Sequence, residues 1–258
     1  MMTAKTVEVN FTLAGLGKRQ VACGPVVREL PLTINLNGRE LVTTLCSPAE
    51  LDYLVAGILF SEGIIQKKED IAAITVDVAA GTVEASVVGY GDEDRPAFRP
   101  LVASGGGKGS SSYTAGRPAF IEVQSETRIT AAAALELVSS FLHYSDAYQV
   151  THGVHSAALC DGQKILVFSD DIGRHNALDK VFGRCLLEGL PVAGGIIITS
   201  GRISSEILLK VARRGVPVLI SKAPPTDMGI KLATELGVTL AVARRGEMAV
   251  YSHDWRVA

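Results

Sequence analysis

Between Glu29 and Leu45 the chain alternates apolar and polar positions with a period of two: Leu30, Leu32, Ile34 and Leu36, then Asn37-Gly38, then Glu40 to Leu45. Such alternation marks a half-buried strand, and Asn-Gly readily adopts the left-handed turn that a two-residue hairpin loop requires. The pattern predicts a β-hairpin. From Ser47-Pro48 the period becomes helical, with Leu51, Leu54, Val55, Ile58 and Leu59 on one face, Pro48 in the first turn and Gly63 at the far end. Ile71 to Val78 and Thr82 to Val88 alternate again and complete a small α+β region.

Residues 104 to 112, Ser-Gly-Gly-Gly-Lys-Gly-Ser-Ser-Ser, break the pattern. Glycine costs helix and strand alike, so this stretch is expected to be a mobile loop with no regular element. It divides the chain into residues 1–103, a linker over 104–116, and residues 117–258. Beyond it, residues 131 to 144 read as an alanine-rich helix, and Val154 to Cys160 as a strand that turns at Asp161-Gly162 into Lys164 to Ser169. One unit then repeats three times: Ile165 to Phe168 and a helix through Leu187, Gly195 to Thr199 and Ser204 to Arg214, Val216 to Ile220 and Asp227 to Leu236. Val238 to Ala243 closes the series. Strands alternating with helices predict an α/β layer with parallel pairing and right-handed crossovers.

At 258 residues and 47% hydrophobic content, the chain is long and apolar enough for a substantial core. Its 25 basic and 27 acidic residues leave a net charge of −2, which argues against nucleic acid as a bulk partner and leaves any anionic ligand to a local basic patch. The first residues carry no signal-peptide pattern, and no apolar run reaches the roughly 18 residues that span a bilayer, so the cytoplasm and no membrane contact are expected. Cys23, Cys46, Cys160 and Cys185 show no Cys-x-x-Cys or metal-ligand spacing, so buried hydrophobic roles and no metal site are expected.

The polar residues at the strand ends carry the candidate chemistry. Asp170 to Lys180 packs seven ionisable or amide side chains directly after a strand-like stretch, with a turn at Gly173. A helix opening near Arg174 puts His175 and Asp179 on one face, and Asn176 and Lys180 on another. The successive strands end in Ser169-Asp170-Asp171, Ser200-Gly201-Arg202, Ser221-Lys222 and Arg244-Arg245-Gly246. Open α/β sheets bind ligands beyond the carboxyl ends of their strands, where helix N-termini and cations receive phosphates. A nucleotide-like ligand is the natural inference; ordinary turns and helix caps are the alternative. His152 and His155 enter the same region, and His175, flanked by Asp171 and Asp179, is the strongest acid-base candidate of the three. Neither a Gly-Lys-Ser/Thr phosphate loop nor a Gly-x-Ser-x-Gly elbow is present, which excludes the usual nucleoside triphosphatase and α/β-hydrolase patterns.

Asp171-Ile172-Gly173-Arg174-His175-Asn176-Ala177-Leu178-Asp179-Lys180-Val181 closely resembles the signature of the FdhD or NarQ family of formate dehydrogenase accessory sulfurtransferases. Glu29 to Ile34 with Asn37-Gly38, Ser47 to Ile65, Ser200-Gly201-Arg202 with Ser204, Glu206 and Lys210, and Gly237 to Leu240 with Tyr251 follow in that family's order, so the resemblance spans nearly the whole chain. It implies a cytoplasmic, homodimeric helper of molybdenum or tungsten formate dehydrogenase. Such a helper takes sulfur from a cysteine desulfurase as a persulfide and passes it to the bis(molybdopterin guanine dinucleotide) cofactor. It also implies a cytidine deaminase-like α/β/α fold for the C-terminal layer, though the zinc deaminase signature is absent. The family's cofactor stretch falls on Ala243, Arg244, Arg245, Gly246 and Glu247. With the strand-end residues Asp171, Arg174, His175, Asp179, Ser200, Gly201, Arg202, Ser221, Lys222 and His155, it forms the expected binding set for a GDP-like moiety.

One departure bears on mechanism. Where the family carries a Cys-x-x-Cys pair, this chain has Ser104, Gly105, Gly106, Gly107, Lys108, Gly109 and Ser110, and no cysteine lies between Cys46 and Cys160. A persulfide needs a thiolate, which serine and lysine do not supply. Cys160 is the nearest stand-in, although its strand position suits a buried side chain. Three readings follow: a sulfurtransferase using another thiol, a cofactor-holding and delivery protein without sulfur transfer, and a small nucleotide-dependent enzyme of another kind.

Overall fold

The computed structural model describes residues 5–15, 17–91, 100–102, 108–110 and 122–258. Strand β1 (Thr6–Gly15) pairs antiparallel with β2 (Lys18–Val27) as a separate ribbon, an element the sequence reading did not include. The expected hairpin is β3 (Leu30–Leu36) and β4 (Arg39–Cys46), turned by Asn37 and Gly38 with φ of 50° and 76°. With β5 (Ile71–Asp77) and β6 (Thr82–Val87) it forms a four-stranded sheet ordered β4-β3-β6-β5, where β3 and β6 run parallel. Leu32, Ile34, Leu36 and Val83 on that sheet bury against Leu54, Val55 and Leu59 of helix α1 (Leu51–Ser61).

Helix α1 starts at Leu51 rather than in the turn containing Pro48, and Glu50 before it is left-handed at φ 55°. Ser47, the expected opening residue, has partners elsewhere: its N–H donates to Asp171 Oδ2 at 3.0 Å, and its Oγ accepts from the Ile172 N–H at 3.1 Å. Part of the Gly/Ser stretch is also corrected. Lys108–Ser110 forms β8, paired antiparallel with β7 (Pro100–Val102), because a ladder of backbone hydrogen bonds needs no side chains and glycine does not obstruct it. Residues 103–107 and 111–121 lie outside the described residues.

The C-terminal part runs α2 (Ala131–Phe141), α3 (Asp146–Thr151), β9 (His155–Cys160), β10 (Ile165–Asp171), α4 (Arg174–Glu188), β11 (Ile196–Thr199), α5 (Ser205–Arg213), β12 (Val218–Ser221), α6 (Asp227–Glu235), β13 (Thr239–Arg244) and β14 (Glu247–Ser252). The sheet order is β10-β9-β11-β12-β13-β14. Pairing is not parallel throughout: only β11-β12 and β12-β13 are parallel, while β9 opposes both β10 and β11 and β14 opposes β13. The tight turn after β9 is the cause. Gly162 sits at φ 95°, and Asp161 Oδ1 accepts from the Gln163 and Lys164 N–H groups at 2.9 Å, folding β9 and β10 into a hairpin. Helix α4 then carries the chain past β9 to β11. Because β10 and β11 both oppose β9, they point the same way, so the four strand ends share one edge with the start of β9 between the first two.

Successive residues of β11 face opposite layers, as a strand's period of two requires. Ile197 meets Leu178, Val181 and Phe182 of α4 and Ile207 and Leu208 of α5, whereas Ile196 and Ile198 meet Leu137, Val138 and Phe141 of α2. This is a three-layer α/β/α arrangement. Each fully buried aliphatic side chain in it contributes about 1.5–3 kcal/mol relative to exposure.

Helices α1 and α4 join the two halves at near backbone contact. A Cβ at Gly57 would lie 1.8 Å from the Asp179 carbonyl oxygen, and one at Gly183 would lie 1.9 Å from that of Tyr53, so both positions require glycine. Among the described residues, no helix is long and apolar enough to cross a membrane.

Candidate functional site at the strand-end rim

The turn from β10 into α4 is built on Asp171. Its fully buried carboxylate accepts from the Gly173 N–H at 2.9 Å and Asn176 Nδ2 at 3.0 Å through Oδ1, and from the Ser47 N–H at 3.0 Å and Lys180 Nζ at 2.7 Å through Oδ2. Asn176 also donates to the Leu45 carbonyl at 2.8 Å. Asp170, beside it, accepts from Lys5 Nζ at 2.6 Å and from Ser145 Oγ. Both carboxylates therefore face protein donors, and Asp171 fixes where α4 begins.

Arg174, the first residue of α4, lies against the β11–α5 turn. A Cβ on Gly201 would sit 2.8 Å from Arg174 Cβ and 3.0 Å from its Cδ, so the absence of a side chain at Gly201 lets the two loops close on each other. Burial, and then the charge of nearby Arg202, lower the Arg174 pKa; Glu206 works the other way. Ser200 closes the third side. Its Oγ accepts from the Ser156 N–H at 2.9 Å and lies 3.4 Å from His155 Nδ1, while its N–H donates to the Ser156 carbonyl at 3.0 Å. His155 is half-buried, and desolvation, then Arg174, push its pKa below the ordinary value. A neutral imidazole and two guanidinium groups thus gather where three segments meet.

His175 lies deeper, with Nε2 3.5 Å from Glu206 Oε2. Despite that carboxylate, burial together with Lys210, Arg174 and His155 pulls its pKa down to about 3, so it is neutral in ordinary buffers. Asp179, one turn on, accepts from Lys210 Nζ at 2.6 and 2.8 Å and from Ser61 Oγ at 2.7 Å. Burial alone would lower the Lys210 pKa, but Asp179 and Glu62 outweigh it and hold the ammonium above its usual value. Burial also raises the Glu62 carboxyl. Ser47, Ser61 and Lys210 complete these networks. Ser47 and Ser61 are more than 100 residues from their aspartates along the chain (124 and 118), so no local pattern announced them.

Farther along the edge, Ser221 is buried with its Oγ donating to the Gly201 carbonyl at 2.8 Å and accepting from the Ala223 N–H at 2.9 Å. Arg202, Lys222, Arg244 and Arg245 are exposed. Arg245 and Gly246, at φ 46° and 83°, make the turn between Ala243-Arg244 and Glu247 of β14. Strand registers Thr199↔Ser221 and Ser221↔Val242 set Arg202 and Arg244 beyond strands two apart, about 10 Å at the usual spacing. Helices α4, α5 and α6 begin at this edge and add the positive ends of their dipoles. The rim thus sets exposed cations and helix N-termini along one edge of the sheet.

Of the cysteines, Cys46 lies beside the Asp171–Lys180 pair. Cys46, Cys160 and Cys185 are buried, and desolvation foremost raises each thiol to about 12. Cys23 is exposed on β2 and hydrogen-bonds Glu8 Oε2 at 3.5 Å, and its pKa is also raised. No described residues form a cluster of three or more His, Cys, Asp or Glu able to hold a metal.

Residues 27–258 match the FdhD/NarQ family. Over 235 residues the chain is 41% identical to the sulfur carrier protein FdhD of Bacillus subtilis (strain 168), covering 90% of each sequence. Against the protein of that name from Staphylococcus haemolyticus (strain JCSC1435) it is 40% identical over 234 residues, covering 90% of this chain and 89% of the other. A crystal structure from Desulfotalea psychrophila, described provisionally as a formate dehydrogenase accessory protein, superposes with a TM-score of 0.79 at 28% identity, covering 99% of this chain and 100% of that one. From the Gly173-Arg174-His175 turn to the Arg244-Arg245 hairpin, the rim lies inside the matched span, and the chain belongs to the FdhD/NarQ family.

Proposed function

We propose that this protein is a formate dehydrogenase accessory protein that holds a guanine-dinucleotide molybdenum cofactor at the strand-end rim and delivers it, acting in the cytoplasm as a homodimer. The observation that carries the reading is the convergence of Arg174, Arg202, Lys222, Arg244 and Arg245 with three helix N-termini on one edge. That donor set fits the group: pyrophosphate is held by guanidinium forks and helix ends, and Ser200 and His155 add neutral partners for ribose or base. The molybdenum and its pterins are cargo. Calorimetry with GDP tests the reading. Replacing Arg244 and Arg245 with alanine is expected to weaken binding by about 1.5–3 kcal/mol per lost charge-assisted contact, and unchanged affinity moves the site off this rim.

A second reading keeps the sulfur step, as the name of the relatives suggests. In it, a cysteine desulfurase persulfide would pass its outer sulfur to a cysteine thiolate of this chain, releasing the desulfurase thiolate. The burial of Cys46, Cys160 and Cys185 weighs against this route and for holding without transfer, which leaves Cys23 as the accessible thiol. Mass spectrometry after incubation with a desulfurase and cysteine decides: an added sulfur on any of the four that is passed to the cofactor overturns the holding-only reading.

A further inference from the structure

At the opposite end of the C-terminal sheet, a cavity of about 460 Å³ opens among the end of α1, the turn after it, the α4–β11 loop and the end of α5. Leu190 and Val192 precede β11, and Arg213 and Arg214 precede β12, so the strand lengths separate this cavity from the rim. Its floor is apolar, formed by Phe60, Leu186, Leu190 and Val192. Four of its remaining lining residues are cationic and one, Glu69, is acidic.

Two of the cations have partners within the protein. Lys68 Nζ donates to the Leu187 carbonyl at 2.8 Å, and Arg213 donates to the Ser61 carbonyl at 3.3 Å; each meets a carbonyl at a helix C-terminal turn. Arg214 does not. Its guanidinium lies 3.7 Å above the Phe60 ring centroid, and its buried Nε has no hydrogen-bond acceptor among the described residues. A buried guanidinium N–H without an acceptor is costly, and one aromatic face does not replace it. Burial, then neighbouring Arg213, lower the Arg214 pKa to about 10.

We propose that this cavity binds a small organic anion, its phosphate or carboxylate head on Arg214 and Lys67 and its apolar or aromatic body on the Phe60–Val192 floor. The volume falls within the range of about 300–1,000 Å³ typical of small-molecule sites and exceeds the needs of a bare inorganic ion. The site is independent of the rim.

The test is calorimetric titration of the full chain with phenyl phosphate, benzoate and neutral benzyl alcohol. Binding of either anion, at least tenfold weaker in Arg214→Gln and in the surface variant Lys67→Glu, with no binding of the alcohol, supports the site. A preference for phenyl phosphate identifies phosphate as the natural head, and a preference for benzoate identifies carboxylate. No anion binding, equal affinity in the variants, or equal binding of the alcohol overturns it. Lys67 is exposed, so Lys67→Glu keeps the test valid if Arg214→Gln fails to fold.

Discussion

Lys180 Nζ meets Asp171 Oδ2 at 2.7 Å with neither side chain accessible to solvent. The pair is surrounded by donors and acceptors that complete it: the Ser47 N–H, Asn176 and the Asp170 carbonyl. Lys180→Met removes the countercharge and leaves Asp171 buried. Breaking such a pair costs about 3–5 kcal/mol, and urea unfolding is expected to show a loss of that size. Asp171→Asn in the Lys180→Met background is expected to recover part of it, because the uncompensated charge is gone.

The α1–α4 crossing admits no side chain at two positions. Gly57→Ala sets a methyl against the Asp179 carbonyl, and relief requires the helices to separate. Overpacking of this kind costs about 1–3 kcal/mol or more, so a lowered melting temperature is expected for Gly57→Ala and for Gly183→Ala. Gly189→Ala separates crossing from conformation: Gly189 has open space around its Cβ position but a φ of 71°. Its loss is expected to be smaller and to leave α1–α4 packing intact. A wild-type melting temperature for Gly57→Ala would show that the helices part without cost.

Acid sensitivity follows from His175. Its folded pKa of about 3 lies below the ordinary histidine value, so between the two the unfolded chain binds a proton that the native protein does not. Stability is therefore full above the ordinary value and falls as pH drops through the window, by up to about 1.4 kcal/mol per pH unit for one proton. His155 is shifted the same way and adds to the slope. Comparing unfolding free energies of wild type and His175→Gln from pH 7 down to 5 isolates the contribution; a variant with the same slope as wild type would assign the sensitivity elsewhere.

Thiol chemistry is expected to divide the cysteines one against three. In native protein, Cys23 alone should react with Ellman's reagent, slowly because desolvation and then Glu8 oppose its ionisation, and all four should react in guanidinium. A second fast-reacting thiol in native protein would identify another accessible sulfur.

Much of this architecture was written locally. Asn37-Gly38, the alternation through Leu36 and the three strand–helix units each carry their own turn chemistry and period, and each folds where those signals fall. Neighbours are a different matter. The period of β9 says that it is a strand, but its place between β10 and β11 depends on the Asp161-Gly162 turn closing a hairpin in the middle of an alternating series. The β1–β2 ribbon went unread although Val7, Val9, Phe11 and Leu13 alternate along β1, and Gly24-Pro25 blurs the matching pattern on its partner. The charged run falls at the end of β10 and the start of α4, as its pattern predicts. It could not say that Asp171 and Asp179 turn inward, because Ser47, Ser61 and Lys210 reach them from distant segments.

The glycine contact between α1 and α4 makes a handle of the smaller sheet. A partner that grips β3 to β6 pulls on α1, and α1 has no slack against the helix whose first residues are Arg174 and His175. The smaller sheet and the strand-end edge are thereby tied through one close helix crossing, backbone against backbone at Gly57 and Gly183.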